Sequence, residues 1–220
     1  MIEISFASML RILSAGALET LKLLPFCIAF SLIGGVVLGI IQSSRVPIVN
    51  QIIALYVLIM RGIPPLIILF LVFFTANLDS GVVSAILALS LYHVAYVTEI
   101  VRGGISSISR GQFEAGRSLG LRNTQVMHRV IIPQIWRGIL PALAGQYIIL
   151  VKDTALVSVV GVREILWSGR QIMQLTYDPF PIYLLIGVFF YVICFLLERL
   201  SVFAERRARA FASISGGRNR

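Results

Sequence analysis

The sequence predicts an all-α integral membrane protein of about five transmembrane helices, and three observations carry that prediction. Of its 220 residues, 58% are hydrophobic and only 13% are charged, a balance too apolar for an ordinary water-soluble domain. Several uncharged runs approach or reach the roughly 20 residues needed to cross the hydrocarbon of a bilayer. These runs do not alternate apolar and polar residues in ten-residue segments, as barrel strands would. In lipid that leaves helices, which satisfy their backbone polar groups internally.

Taken in order, the elements begin with Met1–Glu19, where Phe6, Met9, Ile12 and Leu13 fall on one helical face. Residues 1–22 are expected to form an amphipathic segment on the outer membrane surface. Leu23–Ile41 is the first span, and its Gly35-x-x-x-Gly39 allows another helix to approach closely. The second runs from Ile52 to Leu78 through Arg61-Gly-Ile-Pro-Pro65. Two prolines there remove donors and crowd the preceding turn, so the helix bends, breaks or starts anew. Ser80–Thr98, nineteen residues without a charge, is the third span. Gly138–Val151, extended backward through Ile131, Ile132 and Trp136, is the fourth, and Pro179–Leu197 the fifth. One membrane domain over 23–198 and a basic tail over 199–220 complete the organisation. Between the third and fourth spans, within about 103–137, Ser109-Arg-Gly-Gln-Phe113 begins a short helix, Gly120 stops it and Thr124 caps another. Pro133 and Pro141 then kink the route back into the membrane.

The net charge of +9 invites a nucleic-acid reading that the positions of the charges oppose. Glu99–Gly138 carries six arginines between two apolar spans, which marks it as a cytoplasmic loop. Counting crossings outward puts the N-terminus outside and the C-terminus inside. Arg45, Arg61, the six loop arginines and the six in Glu198–Arg220 then face the cytoplasm, 14 of 19 basic residues. Membrane insertion selects for that asymmetry without any nucleic-acid partner, and the tail Glu205-Arg-Arg-Ala-Arg209 suits lipid headgroups. Cys27 and Cys194 both fall inside spans and read as packing residues. No cleavage signal follows the first apolar run, which is expected to be retained.

Two catalytic motifs can be set aside. Gly116-Arg-Ser-Leu-Gly120 matches the G-x-S-x-G nucleophile elbow in letters. That motif needs a preceding strand and partners in the order Ser, acid, His, and no histidine follows His128. The two lysines, Lys22 and Lys152, end no Gly-rich phosphate loop, so the chain is not expected to hydrolyse ATP or to act as an enzyme. No cofactor or metal set is expected either.

Glu114-Ala-Gly116, then Gly120, then Val130-Ile-Ile-Pro133 resembles the EAA loop of binding-protein-dependent ABC importers. The family pattern is E-A-A, three residues, G, nine residues, I, one residue, L-P, and the spacing matches throughout. Gly replaces the second Ala at 116, Val replaces Ile at 130, and Ile replaces Leu at 132. Thr20-Leu-Lys22, Arg61-Gly-Ile-Pro-Pro65, Ala95-Tyr-Val-Thr-Glu-Ile-Val-Arg102 and Lys152-Asp-Thr-Ala-Leu-Val-Ser158 resemble segments of its polar amino acid (histidine/glutamine-type) permeases, over roughly residues 15–200. The resemblance implies a MetI-like permease subunit in a bacterial cytoplasmic membrane. It implies a second permease subunit, identical or paralogous, as partner, with a cytoplasmic ABC ATPase dimer and a periplasmic or lipid-anchored solute-binding protein. It also implies that the loop helix docks into the ATPase. Arg110, Phe113, Glu114, Ala115, Gly116, Arg117, Gly120 and Pro133 are the candidate coupling residues, with Phe113 as buried anchor and Arg110, Glu114 and Arg117 as rim charges. An alternative is a secondary transporter driven by an ion gradient, though such proteins usually show more spans, internal repeats and acids at mid-membrane.

Charges near the membrane supply candidates for the substrate path, because burying them costs roughly 2.5–3.5 kcal/mol on insertion scales. Arg61, Pro64, Glu99, Lys152, Asp153, Thr154 and Ser158 form that set. Glu99 and Arg102 read as an ion pair closing the third span. Lys152 and Asp153 read equally as an internal pair or as groups meeting the charged ends of an amino acid. Arg163 and Glu164 are expected to pair in an outer loop, and His93 to be a packing residue.

Overall fold

The computed structural model describes residues 5–44, 46–76, 78 and 80–216, with side chains to residue 203. Arg45 and the tail side chains beyond Phe203 therefore lie outside the described residues. The elements are α1 Phe6–Gln42, α2 Pro47–Gly62, α3 Pro65–Thr75, α4 Gly81–Ser106, α5 Arg110–Ser118, α6 Asn123–Val126, α7 Ile132–Asp153, α8 Ile165–Thr176 and α9 Pro179–Gly216. A π turn, Met127–Ile131, leads into α7, and a 3-10 segment, Thr154–Val160, follows it. No strand occurs among the described residues.

Four helical stretches are long and apolar enough to cross a membrane, and α2 with α3 makes a fifth if the pair, bent by 109°, counts as one. Packing supports counting it. Gly34 of α1 meets Val94 of α4, Gly35 meets Val97, and Gly39 meets Val101. These numbers rise together, so α1 and α4 run parallel, and the chain must return between them; only α2–α3 can make that crossing. Gly104 of α4 meets Ile139 and Ile135 of α7, whereas His93 meets Gln146, so α7 runs antiparallel to α4. Leu13 near the start of α1 clusters with Ile182 and Ile186 near the start of α9. The bundle thus has α1, α4 and α9 pointing one way and α2–α3 and α7 the other.

Its surface is greasy and its interior carries the polar groups. Phe26, Phe30, Ile33, Leu55, Leu58 and Tyr191 are exposed, while Ser84, Ser90, His93, Thr98 and Gln146 are buried. Lipid tails are as apolar as leucine, so no hydrophobic force draws these helices together. Close van der Waals contact and internal hydrogen bonds must do so, which is why the glycine stripe of α1 sits against the valines of α4. Cys27 is fully buried in the same interior, as a packing residue.

Several expectations need amendment. The amphipathic lead-in is no separate helix, since α1 is continuous over 37 residues, about 55 Å at 1.5 Å per residue. Its predicted apolar face divides, with Phe6 exposed and Met9, Ile12 and Leu13 packed toward α8 and α9. The third span runs two turns past Thr98 to Ser106. Thr124 is not a cap: α6 starts at Asn123 with Arg122 as its N-cap residue, whose N–H donates to Gln125 Oε1 at 2.8 Å. The π turn was not foreseen, and Pro133 accounts for it. Its missing N–H and its ring disturb the turn before it, and the helix widens so that Ile132 N–H donates five residues back to Met127 O.

α8 was also unforeseen. Three of its N-terminal N–H groups are satisfied: Glu164 accepts from Leu166 and Trp167 N–H at 2.9 and 2.7 Å, and Thr20 Oγ1 of α1 accepts from Ile165 N–H at 3.3 Å. Glu164 is therefore a fully buried cap and not the partner of Arg163, which lies over the Trp167 ring at 5.3 Å. Burial pushes the Glu164 carboxyl up to about 7, against the lowering effect of those two N–H groups and of Arg170. Its folded value lies above the ordinary 4.5, so its contribution to stability is fully present below that value and is lost as pH rises through about 7. Glu164→Gln should flatten the melting temperature between those limits, and Glu164→Ala, which strands both N–H groups, should lower stability by about 1 kcal/mol. Parallel pH profiles for wild type and Glu164→Gln would refute the assignment.

Candidate functional site

Two assemblies of polar side chains stand out, one at each level of the bundle. The first is the loop between α4 and α7. Gly120 has φ of +78°, and it terminates α5 by a Schellman arrangement: its own N–H donates to Arg117 O at 2.9 Å and Leu121 N–H donates to Gly116 O at 3.2 Å. The left-handed backbone explains why glycine stands there. Gly116 is buried against α6, where a Cβ would come within 2.9 Å of Val126 Cγ2; the missing methyl lets α5 lie flat on its neighbour. Arg117 Nε donates to Asn123 Oδ1 at 3.1 Å, and Gln134 Nε2 donates to Gln112 Oε1 at 3.3 Å. Pro133 sits in the first turn of α7. The loop is thereby a braced unit.

At 100° per residue, α5 presents two faces. Arg110, Phe113, Glu114 and Arg117 share one and line a cavity of about 640 Å³ with Ile40, Ser43, Ser44 and His128. Phe113 is half-buried and packs against the buried cluster of its own chain that includes Ile105, Val126 and Ile131. The ring expected to serve as a buried anchor for a docked partner is thus already partly covered by its own chain. The other face holds Gly111, Ala115 and Leu119, all exposed, and Leu119 is 81% exposed at the end of the helix. Sequence reasoning passed over Leu119, although its i, i+4 spacing from Ala115 was visible.

The second assembly follows α4. Tyr92, Tyr96 and Glu99 fall at i, i+4, i+7 on one face. Glu99 accepts two hydrogen bonds from Arg102, at 3.0 and 2.8 Å, and lies 3.7 Å from Arg61 Nη1. Arg61 stands over the Tyr96 ring at 5.4 Å, and Tyr96 and Tyr92 share a hydroxyl hydrogen bond of 3.0 Å. His93 is fully buried beside them, its Nδ1 2.7 Å from Gln146 Nε2 and its Nε2 3.2 Å from Asp153 Oδ2. The structure thus joins Arg61, Glu99 and Asp153 through two tyrosines and a histidine. Pro64, at the break before α3, is exposed.

The remaining candidates separate from that track. Lys152 is exposed on another side of α7, so the Lys152–Asp153 pair does not form. Thr154 is buried and its hydroxyl donates to Val151 O at 2.6 Å. Ser158 donates to Ala155 O at 2.9 Å and borders a smaller opening of about 410 Å³ with Trp167, Arg170, Gln171 and Gln174. Tyr92, His93 and Gln146 were not singled out for the path; adjacent residues on separate helices carry no signal in sequence spacing.

Comparison with known proteins places the chain. A family described as binding-protein-dependent transport system inner membrane component matches residues 35–210. The L-cystine transport system permease protein TcyB of Bacillus subtilis is 34% identical over 89% of this chain and 86% of its own. The arginine ABC transporter permease protein ArtQ of Haemophilus influenzae is 32% identical over 81% and 85%. Among solved structures, an amino acid ABC transporter crystallised with histidines superposes with a TM-score of 0.82 at 30% identity, covering 94% of this chain and all of that one. The MetNI methionine ABC transporter, in an inward-facing conformation, shares the fold at a TM-score of 0.81 and 22% identity, over 93% and 99% of the two chains. A match over most of its length, a membrane bundle of the same topology and the braced loop after α4 agree: this chain belongs to the family of binding-protein-dependent transport system inner membrane components.

Proposed function

We propose that this chain is the permease subunit of an ATP-driven importer of polar amino acids and forms half of the translocation pathway. It carries no catalytic site, and its energy comes from an ATPase dimer bound at α5. A second permease subunit completes the pathway, and a periplasmic or lipid-anchored solute-binding protein delivers the substrate. The chain sits in a bacterial cytoplasmic membrane with the α5 loop and the C-terminus inside and the N-terminus outside.

The observation that carries this reading is the outward face of α5. A short helix stopped by Gly120 and braced through Gly116, Asn123 and Gln134 presents Ala115 and an almost bare Leu119. A rigid apolar knob exposed on a braced helix is the kind of feature that forms the core of a protein contact. Because α5 is clamped to α6 and α7, a push on it moves the bundle as a lever rather than deforming a loop. ATP binding and hydrolysis then bias the outward-open and inward-open states. The Arg61–Tyr96–Tyr92–Asp153 track supplies alternating charge and aromatic surface suited to the ammonium and carboxylate of an amino acid.

The test is reconstitution of the chain with its ATPase and binding protein in proteoliposomes, with labelled arginine, glutamate, glutamine and cystine offered outside. Uptake should require ATP within and binding protein without. Uptake driven by an ion gradient with the ATPase omitted would refute the reading. Within this system Asp153→Ala should lower uptake about tenfold, as expected for loss of one charge-assisted contact; unchanged affinity and rate would remove Asp153 from the path.

A further inference from the structure

Asp153 is an odd residue to find where it is. It stands where α7 passes directly into the 3-10 segment, its side chain is only 18% exposed, and the neighbouring Lys152 is exposed and does not pair with it. The polar group nearest its carboxylate is His93 Nε2 at 3.2 Å. His93 belongs to α4, and its side chain is wholly enclosed, with Tyr92 edge-on at 5.4 Å and Tyr96 tilted at 6.3 Å. Its other nitrogen meets the Gln146 amide, about two turns before Asp153 on the same helix.

The three groups have a definite order of hydrogen-bonding roles. With the Gln146 amide assigned nitrogen-first toward the ring, Gln146 Nε2–H donates and Nδ1 accepts. The ring proton of a neutral imidazole then belongs on Nε2, the nitrogen facing Asp153. That nitrogen is buried and out of line for a hydrogen bond to any acceptor in this conformation. A buried donor without an acceptor is unfavourable, and the Asp153 carboxylate is the acceptor within reach, so the ring draws the carboxylate toward one orientation.

Resting on the reading that Asp153 lines the substrate path, we propose that His93, held by Gln146, is a positioning residue that fixes the Asp153 carboxylate for the substrate. Gln146 sets the tautomer, the two tyrosines lock the ring, and Nε2–H, 3.2 Å from Oδ2, draws that carboxylate oxygen toward itself. The second oxygen is left for the passing amino acid. His93 itself does not touch substrate.

A double-mutant cycle in the reconstituted importer tests this, with initial uptake of labelled arginine and glutamine as the readout. His93→Ala and Asp153→Asn should each lower uptake about tenfold, and the double variant should be no slower than Asp153→Asn alone, since both remove the same interaction. His93→Gln, whose amide nitrogen reaches the place of Nε2, should recover most of the rate. Should His93→Ala fail to fold, Gln146→Met keeps the volume, removes the amide and takes its place in the cycle. Effects that multiply in the double variant, with His93→Gln as impaired as His93→Ala, would overturn the positioning role while leaving Asp153 in the path. Wild-type uptake by Asp153→Asn would overturn the path reading itself.

Discussion

Leu119→Asp should strip the ATPase from the purified transporter. Leu119 is 81% exposed and closes α5 with φ of −80°, so an aspartate there strains nothing and buries nothing in the isolated chain. In a docked interface the same side chain would sit in an apolar pocket, and an unpaired carboxylate there is strongly unfavourable. Central apolar anchors of this type are worth about 2 kcal/mol or more, about thirtyfold in affinity. Copurification of the ATPase should fall by at least that factor and ATP-dependent uptake should drop to background, while thermal stability of the permease stays unchanged. Leu119→Met should behave as wild type. Normal copurification by Leu119→Asp would mean that the ATPase grips the other face of α5, that of Arg110, Phe113, Glu114 and Arg117.

Gly35→Val should be the most damaging single change within the bundle. A Cβ at 35 would collide with the Val97 side chain and come within 3.1 Å of Thr98 N, a backbone atom that cannot move aside. One turn on, a Cβ at Gly39 would lie 2.9 Å from Thr98 O. Overpacking of this kind costs about 1–3 kcal/mol, and more here, because α1 and α4 depend on close approach rather than on a hydrophobic drive. The expected result is poor recovery of folded protein and a lowered melting temperature in nanodiscs. Gly138→Ala is the control: a Cβ there meets nothing within 4 Å and α7 gains helix propensity. Equal stability of Gly35→Val and Gly138→Ala would show that the α1–α4 contact is looser than described.

Much of this architecture was legible from the chain. The uncharged runs located the spans because lipid permits few other solutions, and Gly120 announced the end of α5 because its left-handed backbone excludes most residues. Pro64 and Pro65 announced the break between α2 and α3, although not the angle. The failures share one cause. Phe113 and Leu119 are both apolar and six residues apart, and only the presence of α6 and the end of α4 on one side of α5 makes the first a packing residue and the second a free knob. Asp153 was read against Lys152, its neighbour in sequence, although a helix points adjacent residues about 100° apart. Glu164 was read against Arg163 for the same reason.

The sequence by itself therefore determined the class of the protein, the places where its helices begin and break, and the position of the polar loop between α4 and α7. Those features follow from local rules: the apolar length a bilayer demands, the donors proline lacks and the backbone only glycine tolerates. The tertiary structure alone decided which side chains meet: α1 parallel to α4 along a glycine stripe, Glu164 buried as a cap, and Gln146 and Asp153 on either side of His93. Contacts between helices depend on how their axes cross, and residues 53 positions apart such as His93 and Gln146 become neighbours only when the bundle closes.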